Sequence, residues 1–235
     1  MGKIHAGTSG WAYPAWKPAF YPAKLPAAKF LGYYAGRLNS VEVNFTFRHF
    51  PTEKLLRGWM EQTPPEFQFA IKAHQKITHI QRLRDADGFS SEFVASLQPL
   101  ASAHKLGPVL FQLPPFLKCD VTLLRDFLRK WPRPVRAAFE FRHASWFCED
   151  IYAALREAQA ALCLAESEKL ETPEVQTADF FYLRLRKPEY SKQALQRRVQ
   201  GFAERAEVYV YLKHEETPEG ALLAESLLPP AGRKW

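Results

Sequence analysis

The sequence predicts an α/β fold, a single (β/α)8 barrel of the TIM type. Eight short runs of β-branched or aromatic residues each end in a polar or charged residue, and helical stretches follow most of them. This alternation is typical of parallel strands connected by helices. The length of 235 residues and the 47% hydrophobic composition suit one barrel with one core. We therefore predict a single domain over residues 1–235.

The ends of the eight runs mark where an active site would lie, because such barrels carry their chemistry at the C-terminal ends of the strands. The runs end as Gly7-Thr8-Ser9, Val41-Glu42-Val43-Asn44, Ala70-Ile71-Lys72-Ala73-His74, Leu110-Phe111-Gln112, Phe139-Glu140-Phe141-Arg142-His143, Leu164-Ala165-Glu166, Leu183-Arg184-Leu185-Arg186 and Leu212-Lys213-His214-Glu215.

The first connection is a long loop, Trp11 to Leu25, rich in proline and aromatic residues. A loop of this length predicts a lid over the barrel mouth or a plug at one barrel end. Pro26 suits the first turn of a helix that ends near Leu38. The second strand is expected over Ser40 to Asn44.

Capping residues and prolines delimit the next elements. Thr52 is placed to cap a helix through Gln62, and Pro64-Pro65 ends it before a strand over Phe67 to Ala73. A further helix is expected from Ser90 or Ser91 toward His104. Pro99 should kink or split that helix, and Gly107 is placed to end it.

The remaining units follow the same alternation. After the fourth strand, Pro108 to Leu113, Asp120 or Thr122 should cap a helix over Leu123 to Trp131. The later units are Val135 to Gln159, the strand Ala161 to Glu166, Phe180 to Ala206 with Ser191 as its helix cap, and Glu207 to Leu228. Glu171-Thr172-Pro173-Glu174 leaves little room for a helix, so the sixth helix is predicted to be short or missing.

Composition limits the classes of partner and compartment. The net charge of +7 favours anionic partners. Cys119, Cys148 and Cys163 have no metal-type spacing and are expected to be free thiols in a reducing compartment. The sequence contains no run of about 18 apolar residues, which a membrane-spanning helix would need. Residues 1–6 lack the apolar segment of a signal peptide. We expect a cytoplasmic protein without membrane contact.

Five short motifs follow one another along the chain. They are Gly7-Thr8-Ser9-Gly10-Trp11 with Phe20-Tyr21-Pro22, Val41-Glu42-Val43-Asn44, Thr78-His79, Gly107-Pro108-Val109-Leu110-Phe111-Gln112-Leu113-Pro114, and Glu140-Phe141-Arg142-His143-Ala144-Ser145-Trp146. Together they resemble the YecE-like family, a domain of unknown function, over essentially the whole chain. The resemblance implies a TIM-type barrel and leaves the reaction open.

Two strand ends depart from the pattern of that family. Arg184-Leu185-Arg186-Lys187 stands where the family often has Arg-x-His-Gly, and Lys213-His214-Glu215 replaces an end that resembles Asn-Asn-Asp. This side of the barrel mouth is therefore expected to be more basic than is typical of the family.

Strand alternation predicts which charged groups meet, because residues two apart point to the same face. Glu42 with Asn44, Glu140 with Arg142, and Arg184 with Arg186 would point into the barrel. Val41, Val43, Phe139 and Phe141 would then face the surrounding helices. A buried glutamate–arginine pair also has a purely structural interpretation, in which the pair serves stability.

The predicted catalytic residues are Glu42, Glu140, His143 and His214. Each glutamate could act as a general base or a metal ligand, and the histidines suit proton transfer near neutral pH. The predicted anion-binding residues are Lys72, Arg142, Arg184 and Lys213, since cations at strand ends suit a phosphate or carboxylate. These cations could instead neutralise Glu42, Glu140, Glu166 and Glu215.

Further candidates for the mouth are Asn44, His79, Gln112, Trp146, Glu166 and Glu215. A divalent metal held by Glu42, Glu140, Glu166, His143 and Glu215 is an open alternative that no ligand spacing indicates. The sequence assigns no metal site and no other cofactor.

Three functions fit these residues. The first is an enzyme, a hydrolase or isomerase, that acts on a phosphorylated or otherwise anionic small substrate with Glu/His acid–base chemistry and an Arg/Lys clamp. The second is a nucleic-acid-binding protein or metal-dependent phosphodiester hydrolase that stacks bases on Trp11, Tyr13 or Trp16. The third is a non-catalytic barrel that binds a ligand or partner. The sequence does not decide the oligomeric state.

Overall fold

Eight parallel strands form one sheet that curves into a barrel. The computed structural model describes residues 2–84, 87–166, 170–187, 190–213 and 216–229, with only the backbone of residue 87. The strands are β1 (Ile4–Thr8), β2 (Ser40–Val43), β3 (Gln68–Lys72), β4 (Leu106–Gln112), β5 (Ala137–Glu140), β6 (Ala161–Ala165), β7 (Phe180–Leu185) and β8 (Glu207–Leu212). Their order around the sheet is β1-β8-β7-β6-β5-β4-β3-β2, and a parallel bridge between Ser9 and Glu42 closes it. The predicted (β/α)8 barrel is confirmed.

Helices cover the outside of this barrel. They are α1 (Phe30–Ala35), α2 (Glu53–Glu61), α3 (Asp87–Ser96), α4 (Gln98–Ser102), α5 (Val121–Lys130), α6 (Glu149–Glu157), α7 (Lys192–Ala203) and α8 (Glu219–Glu225). Between β6 and β7, residues 166 and 170–179 contain no helix, in agreement with the predicted short or missing sixth helix. None of the helices in the described ranges is long and apolar enough to cross a membrane.

Local signals in the sequence set several helix boundaries. The side chains of Thr52, Asp120 and Ser191 each accept a hydrogen bond from a backbone N–H three residues on, at the starts of α2, α5 and α7. Pro99 occupies the first turn of α4 and so divides the helical stretch that follows β3 into α3 and α4. These capping and splitting predictions are confirmed.

The predicted start and end of that helical stretch are wrong. The helix α3 begins at residue 87, before Ser90 and Ser91, and α4 ends at Ser102. His104 then takes a left-handed backbone conformation with φ of 55°. Gly107 lies inside β4, where a Cβ atom would come within 3.3 Å of Phe69 and Ala70 backbone atoms. Gly107 therefore allows close strand approach and does not end a helix.

Two hydrophobic clusters reflect strand alternation. The outer cluster lies between the strands and helices and includes Val41, Val43, Phe139 and Phe141. The inner cluster fills the barrel with side chains such as Leu110, Tyr182 and Tyr211. Every second residue of a strand points into the barrel and belongs to the inner cluster. The next inward-pointing residue toward the end of the strand, such as Arg184 after Tyr182, lies at the C-terminal mouth of the barrel.

The aromatic loop after β1 packs against the flank of the barrel. Trp16, Phe20 and Tyr21 are buried in the outer cluster, and the Tyr21 ring stacks on Phe30 of α1 with centroids 4.2 Å apart. Trp11 meets Trp59 of α2 edge-on at 5.4 Å. These side chains attach the loop to the helices of the outer layer.

Candidate functional site

A buried ion network occupies the C-terminal mouth of the barrel. Glu42 at the end of β2 and Glu140 at the end of β5 are 0% and 2% exposed, and Arg184 of β7 is 3% exposed. Arg184 donates from Nη2 to Glu42 Oε1 at 2.7 Å and from Nη1 to Glu140 Oε2. One guanidinium therefore joins carboxylates from two other strands.

Each carboxylate has additional donors. Glu42 accepts hydrogen bonds from the Ser9 hydroxyl and the Tyr182 phenol, both at 2.8 Å. Glu140 accepts from the Gln112 amide at 2.9 Å and from Arg186 Nη2 at 3.4 Å. Both oxygens of each carboxylate thus accept hydrogen bonds from protein donors.

Among the described residues, the basic side chains of this layer outnumber its carboxylates. Burial raises the pKa of Glu140, but Arg184, Arg186 and the Gln112 hydrogen bond outweigh burial and hold the pKa below its usual value. Glu140 is therefore ionised near neutral pH. Together with Glu42 it faces Arg184, Arg186 and Lys72, three basic side chains against two carboxylates.

Lys72 and Arg186 lie where the network meets the open mouth. Lys72 is half-buried at the end of β3 and donates from Nζ to Gln112 Oε1 at 2.9 Å. The Arg186 side chain is 24% exposed, and its buried Nε has no hydrogen-bond partner among the described residues. The exposed part of the side chain, and not the buried Nε, is suited to meet an oxygen ligand.

His79 lies beside these cations, in a π-helical turn over Lys76–Ile80. Its Nδ1 is 2.9 Å from the Thr78 hydroxyl, and its ring meets Phe47 edge-on at 5.1 Å. Burial, followed by the charges of Lys72 and Arg142, lowers the pKa of His79. Its imidazole is therefore neutral near neutral pH and able to accept a proton.

The other sequence candidates are dispersed. His143 caps the short turn Ala144–Trp146 through Nδ1, which accepts from the Ser145 N–H at 3.2 Å. Trp146 is buried in the outer cluster, where it stacks on Phe141 at 4.6 Å and donates to the Leu117 carbonyl. Its side chain lies away from the ion network.

Several candidates lie at the edge of the mouth. Glu166 accepts hydrogen bonds from Arg198 at 2.6 Å, from the Tyr190 hydroxyl and from the backbone N–H of Arg186 at 3.2 Å, so it adjoins the network on its β6 side. Arg142 and Lys213 are exposed and Asn44 is half-buried at strand ends. His214 and Glu215 lie outside the described residues.

The sequence prediction did not include several residues of the network. Ser9 and Tyr182 were not predicted, and Arg186 was placed on the inward face with Arg184 but was not among the anion-binding candidates. Tyr182 stands two residues before Arg184, so the same period-two alternation would have found it. In the described ranges, no group of three or more His, Cys, Asp or Glu residues is arranged to hold a metal ion.

The rim of the mouth carries exposed apolar side chains beside β2, β3 and β4. Phe45, Ile80 and Phe116 are 46%, 66% and 62% exposed. The guanidinium of Arg82 lies 5.1 Å from the centroid of the Phe116 ring. This side of the mouth therefore offers aromatic faces together with positive charge.

Comparison with known proteins identifies the family. The family model described as "Protein of unknown function DUF72" matches residues 5–234. The chain belongs to the DUF72 family. The sequence resemblance to the YecE-like family is thereby confirmed, since two curated relatives are UPF0759 proteins named YunF, from Bacillus subtilis, and YecE, from Escherichia coli.

The curated relatives and a solved structure are similar to this DUF72 chain, and their names state no reaction. YunF is 31% identical over 63% of the chain and 54% of its own length, and YecE is 31% identical over 62% and 51%. The matched segment spans about half the length of these relatives. A DUF72 protein of known structure from Thermotoga maritima is 26% identical with a TM-score of 0.84, over 96% of this chain and 97% of its own.

Proposed function

We propose that this DUF72 chain is an enzyme that binds an anionic small substrate at the barrel mouth and acts on it by acid–base chemistry. The observation that carries the proposal is the excess of basic side chains in the ion layer, where Lys72, Arg184 and Arg186 face Glu42 and Glu140. An anion that carries one negative charge would complete the balance.

The two buried carboxylates have a positioning role in this proposal. The carboxylate oxygens of Glu42 and Glu140 accept hydrogen bonds from protein groups, and they hold the guanidinium of Arg184 in place. Arg186 and Lys72 are left to contact the substrate anion from the open side, with Arg142 as an exposed cation above them. Arginine suits this role because its fork of N–H groups matches phosphate and carboxylate oxygens.

His79 is the proton acceptor in the proposed site. It is neutral near neutral pH, because burial and then the charges of Lys72 and Arg142 lower its pKa. A base held beside the bound anion can remove a proton from an attacking water or from a carbon of the substrate. Hydrolysis would use the first of these steps and isomerisation the second.

Calorimetry with inorganic phosphate and a small phosphate ester tests the anion site. Arg186→Met should weaken phosphate binding by about tenfold, equivalent to about 1.4 kcal/mol. Arg156→Met is the matched control, because Arg156 pairs with Glu149 on the surface of α6 and is 44% exposed. Equal affinity in wild type and Arg186→Met would refute the anion site.

A second candidate is binding of single-stranded nucleic acid, which the exposed rim favours. Phe45 and Phe116 offer stacking surfaces, and Arg82 adds charge next to Phe116. The predicted use of Trp16 for stacking is wrong, since Trp16 is fully buried. Trp11 is half-buried against Trp59, and the Tyr13 hydroxyl is bonded to the Ser9 carbonyl at 2.6 Å.

Fluorescence anisotropy with a labelled oligothymidylate separates the two candidates. If the rim binds nucleic acid, the affinity for the oligonucleotide should fall steeply as the salt concentration rises. Phe116→Ala should then reduce the binding free energy by about 1–3 kcal/mol. Affinity that is unchanged from low to high salt contradicts this second candidate.

A further inference from the structure

Lys72 differs from the other buried lysine in how its amine is held. Lys105 is 6% exposed, and its Nζ donates to the carbonyls of Met60 and Thr63 and to the Thr63 hydroxyl at 2.8–3.2 Å. Those three acceptors match the three N–H groups of a protonated lysine. Lys105 is thus fully satisfied and serves the packing of the outer layer.

The amine of Lys72 has a single hydrogen-bond acceptor among the described residues, Gln112 Oε1 at 2.9 Å. Gln112 is itself fixed, because its Nε2 donates to Glu140 at 2.9 Å. Lys72 Nζ also lies 4.5 Å from the centroid of the Phe47 ring. No carboxylate in the described ranges forms an ion pair with it. The amine is therefore positioned by one neutral partner, with its other directions available to a ligand.

The surroundings increase the neutral fraction of the Lys72 amine, which stays mostly protonated at neutral pH. Burial, followed by the charge of Arg184, lowers the pKa of Lys72 to about 8; Arg186 acts in the same direction, whereas Glu42 and Glu140 oppose it. His79, which is neutral, and Arg142 also lie on this side of the mouth. About a tenth of Lys72 would carry a free lone pair at neutral pH, compared with less than about a thousandth of an ordinary lysine.

We propose that Lys72 is a nucleophilic residue that forms an imine with the carbonyl carbon of an anionic aldehyde or ketone. The lone pair of Nζ attacks the carbonyl carbon, and the electron pair of the C=O bond moves to oxygen, which takes up a proton. One proton then passes from Nζ to this hydroxyl, which leaves as water, and the nitrogen lone pair forms the C=N bond of a protonated imine. One water is released and no redox partner is needed.

Neighbouring residues supply the remaining requirements of this reaction. His79 and Lys72 both approach the ring of Phe47, at 5.1 Å and 4.5 Å from its centroid, so in this proposal His79 accepts the proton from Nζ and returns it to the departing hydroxyl. Arg186 supplies the charge that would hold the anionic end of the carbonyl compound. This part of the inference rests on the proposed anion site and narrows its substrate to carbonyl compounds.

Reductive trapping tests the proposal on the wild-type chain. The protein is incubated with glyoxylate or with acetaldehyde in the presence of cyanoborohydride, and modified lysines are located by peptide mass spectrometry. At neutral pH, Lys72 should be modified at least about tenfold faster than the exposed Lys118, with Lys105 unreactive. In urea-denatured protein the advantage of Lys72 should disappear. Modification of native Lys72 no faster than Lys118 would overturn the proposal.

The two carbonyl probes separate this inference from the anion site. Glyoxylate carries a carboxylate and acetaldehyde does not, so an intact anion site predicts faster trapping of glyoxylate and protection of Lys72 by inorganic phosphate. Selective trapping of both probes without phosphate protection would support the nucleophile and refute the anion site. Phosphate binding with an unreactive Lys72 would refute the nucleophile alone. Lys72→Arg, which retains the charge, should abolish the trapped peptide.

Discussion

At the scale of single residues, Arg184 joins two buried carboxylates in the mouth of the barrel. It binds Glu42 and Glu140, which are both almost completely buried. Arg184→Met should lower the free energy of unfolding by about 3–5 kcal/mol, because it leaves buried carboxylates without their cation. Urea denaturation followed by circular dichroism measures the change.

The control for Arg184 is an arginine–glutamate pair on the surface. Arg57 of α2 donates to Glu53 at 2.6 Å, and both side chains are mostly exposed. Arg57→Met should leave the unfolding curve unchanged within error. If both variants unfold like the wild type, the mouth network does not contribute to stability.

Glu207, at the N-terminal end of β8, makes the folding stability depend on pH in the acidic range. Burial raises its pKa, but hydrogen bonds from His5 at 2.7 Å and from Arg136 outweigh burial and lower the pKa from 4.5 to about 2. The unfolded chain therefore takes up this proton at a higher pH than the folded chain. The stability that Glu207 contributes is complete above pH 4.5 and is lost as the pH falls toward 2.

Thermal melting measured across this acidic range tests the role of Glu207. The wild-type midpoint should fall more steeply than that of Glu207→Gln, because glutamine has no proton to gain. Parallel curves for the two proteins would show that the His5–Glu207–Arg136 cluster does not contribute to the acid dependence of stability.

At the scale of elements, helix caps were predictable because each depends on a few adjacent residues. Asp120 Oδ1 accepts from the Leu123 N–H at 2.9 Å and begins α5 as predicted. Asp120→Ala should destabilise the protein by about 1 kcal/mol, and Asp120→Asn should retain most of the stability because the amide oxygen also caps. Equal unfolding free energies for the alanine variant and the wild type would contradict this role of the cap.

Interactions between distant strands were less predictable than caps. Alternation correctly placed Glu42, Glu140 and Arg184 on inward faces, but it contains no information on which side chains meet across the barrel. Ser9 and Tyr182 reach Glu42 from separate strands, 33 and 140 residues away along the chain. Their contact depends on strand register and curvature, which arise only when the whole sheet closes.

Trp146 was predicted to lie at the mouth, but its side chain points to the outer layer. Its position in a motif near a strand end suggested the mouth, whereas its ring stacks on the outward-facing Phe141. A short turn capped by His143 carries it there. Sequence position located the end of the strand and could not specify the direction of the side chain beyond it.

At the scale of the whole molecule, the barrel closes between β1 and β2, where the bridge from Ser9 to Glu42 is supported by side chains. Asn39 accepts from the Ala6 N–H at 2.9 Å and donates to the Ile4 carbonyl at 2.8 Å. The Tyr34 hydroxyl accepts from the Thr8 N–H at 2.8 Å and donates to the Ser40 carbonyl at 3.0 Å. Side chains from the first βα unit thus bond the two strands, and the same closure brings Ser9 to Glu42.

Gly7 makes this closure possible, because a Cβ atom there would lie 2.0 Å from the Ser40 carbonyl oxygen and 2.8 Å from the Tyr34 hydroxyl. Gly7→Ala should therefore force β1 and β2 apart and cost about 1–3 kcal/mol or more of unfolding free energy. Gly58→Ala is the matched control in α2, where a Cβ atom meets nothing within 4 Å and alanine should stabilise the helix by about 1 kcal/mol.

Because closure also carries Ser9 to the carboxylate that fixes Arg184, Gly7→Ala should weaken phosphate binding as well as folding, whereas Gly58→Ala should change stability alone. Stability and phosphate affinity at wild-type levels in Gly7→Ala would show that neither folding nor the mouth depends on this close approach.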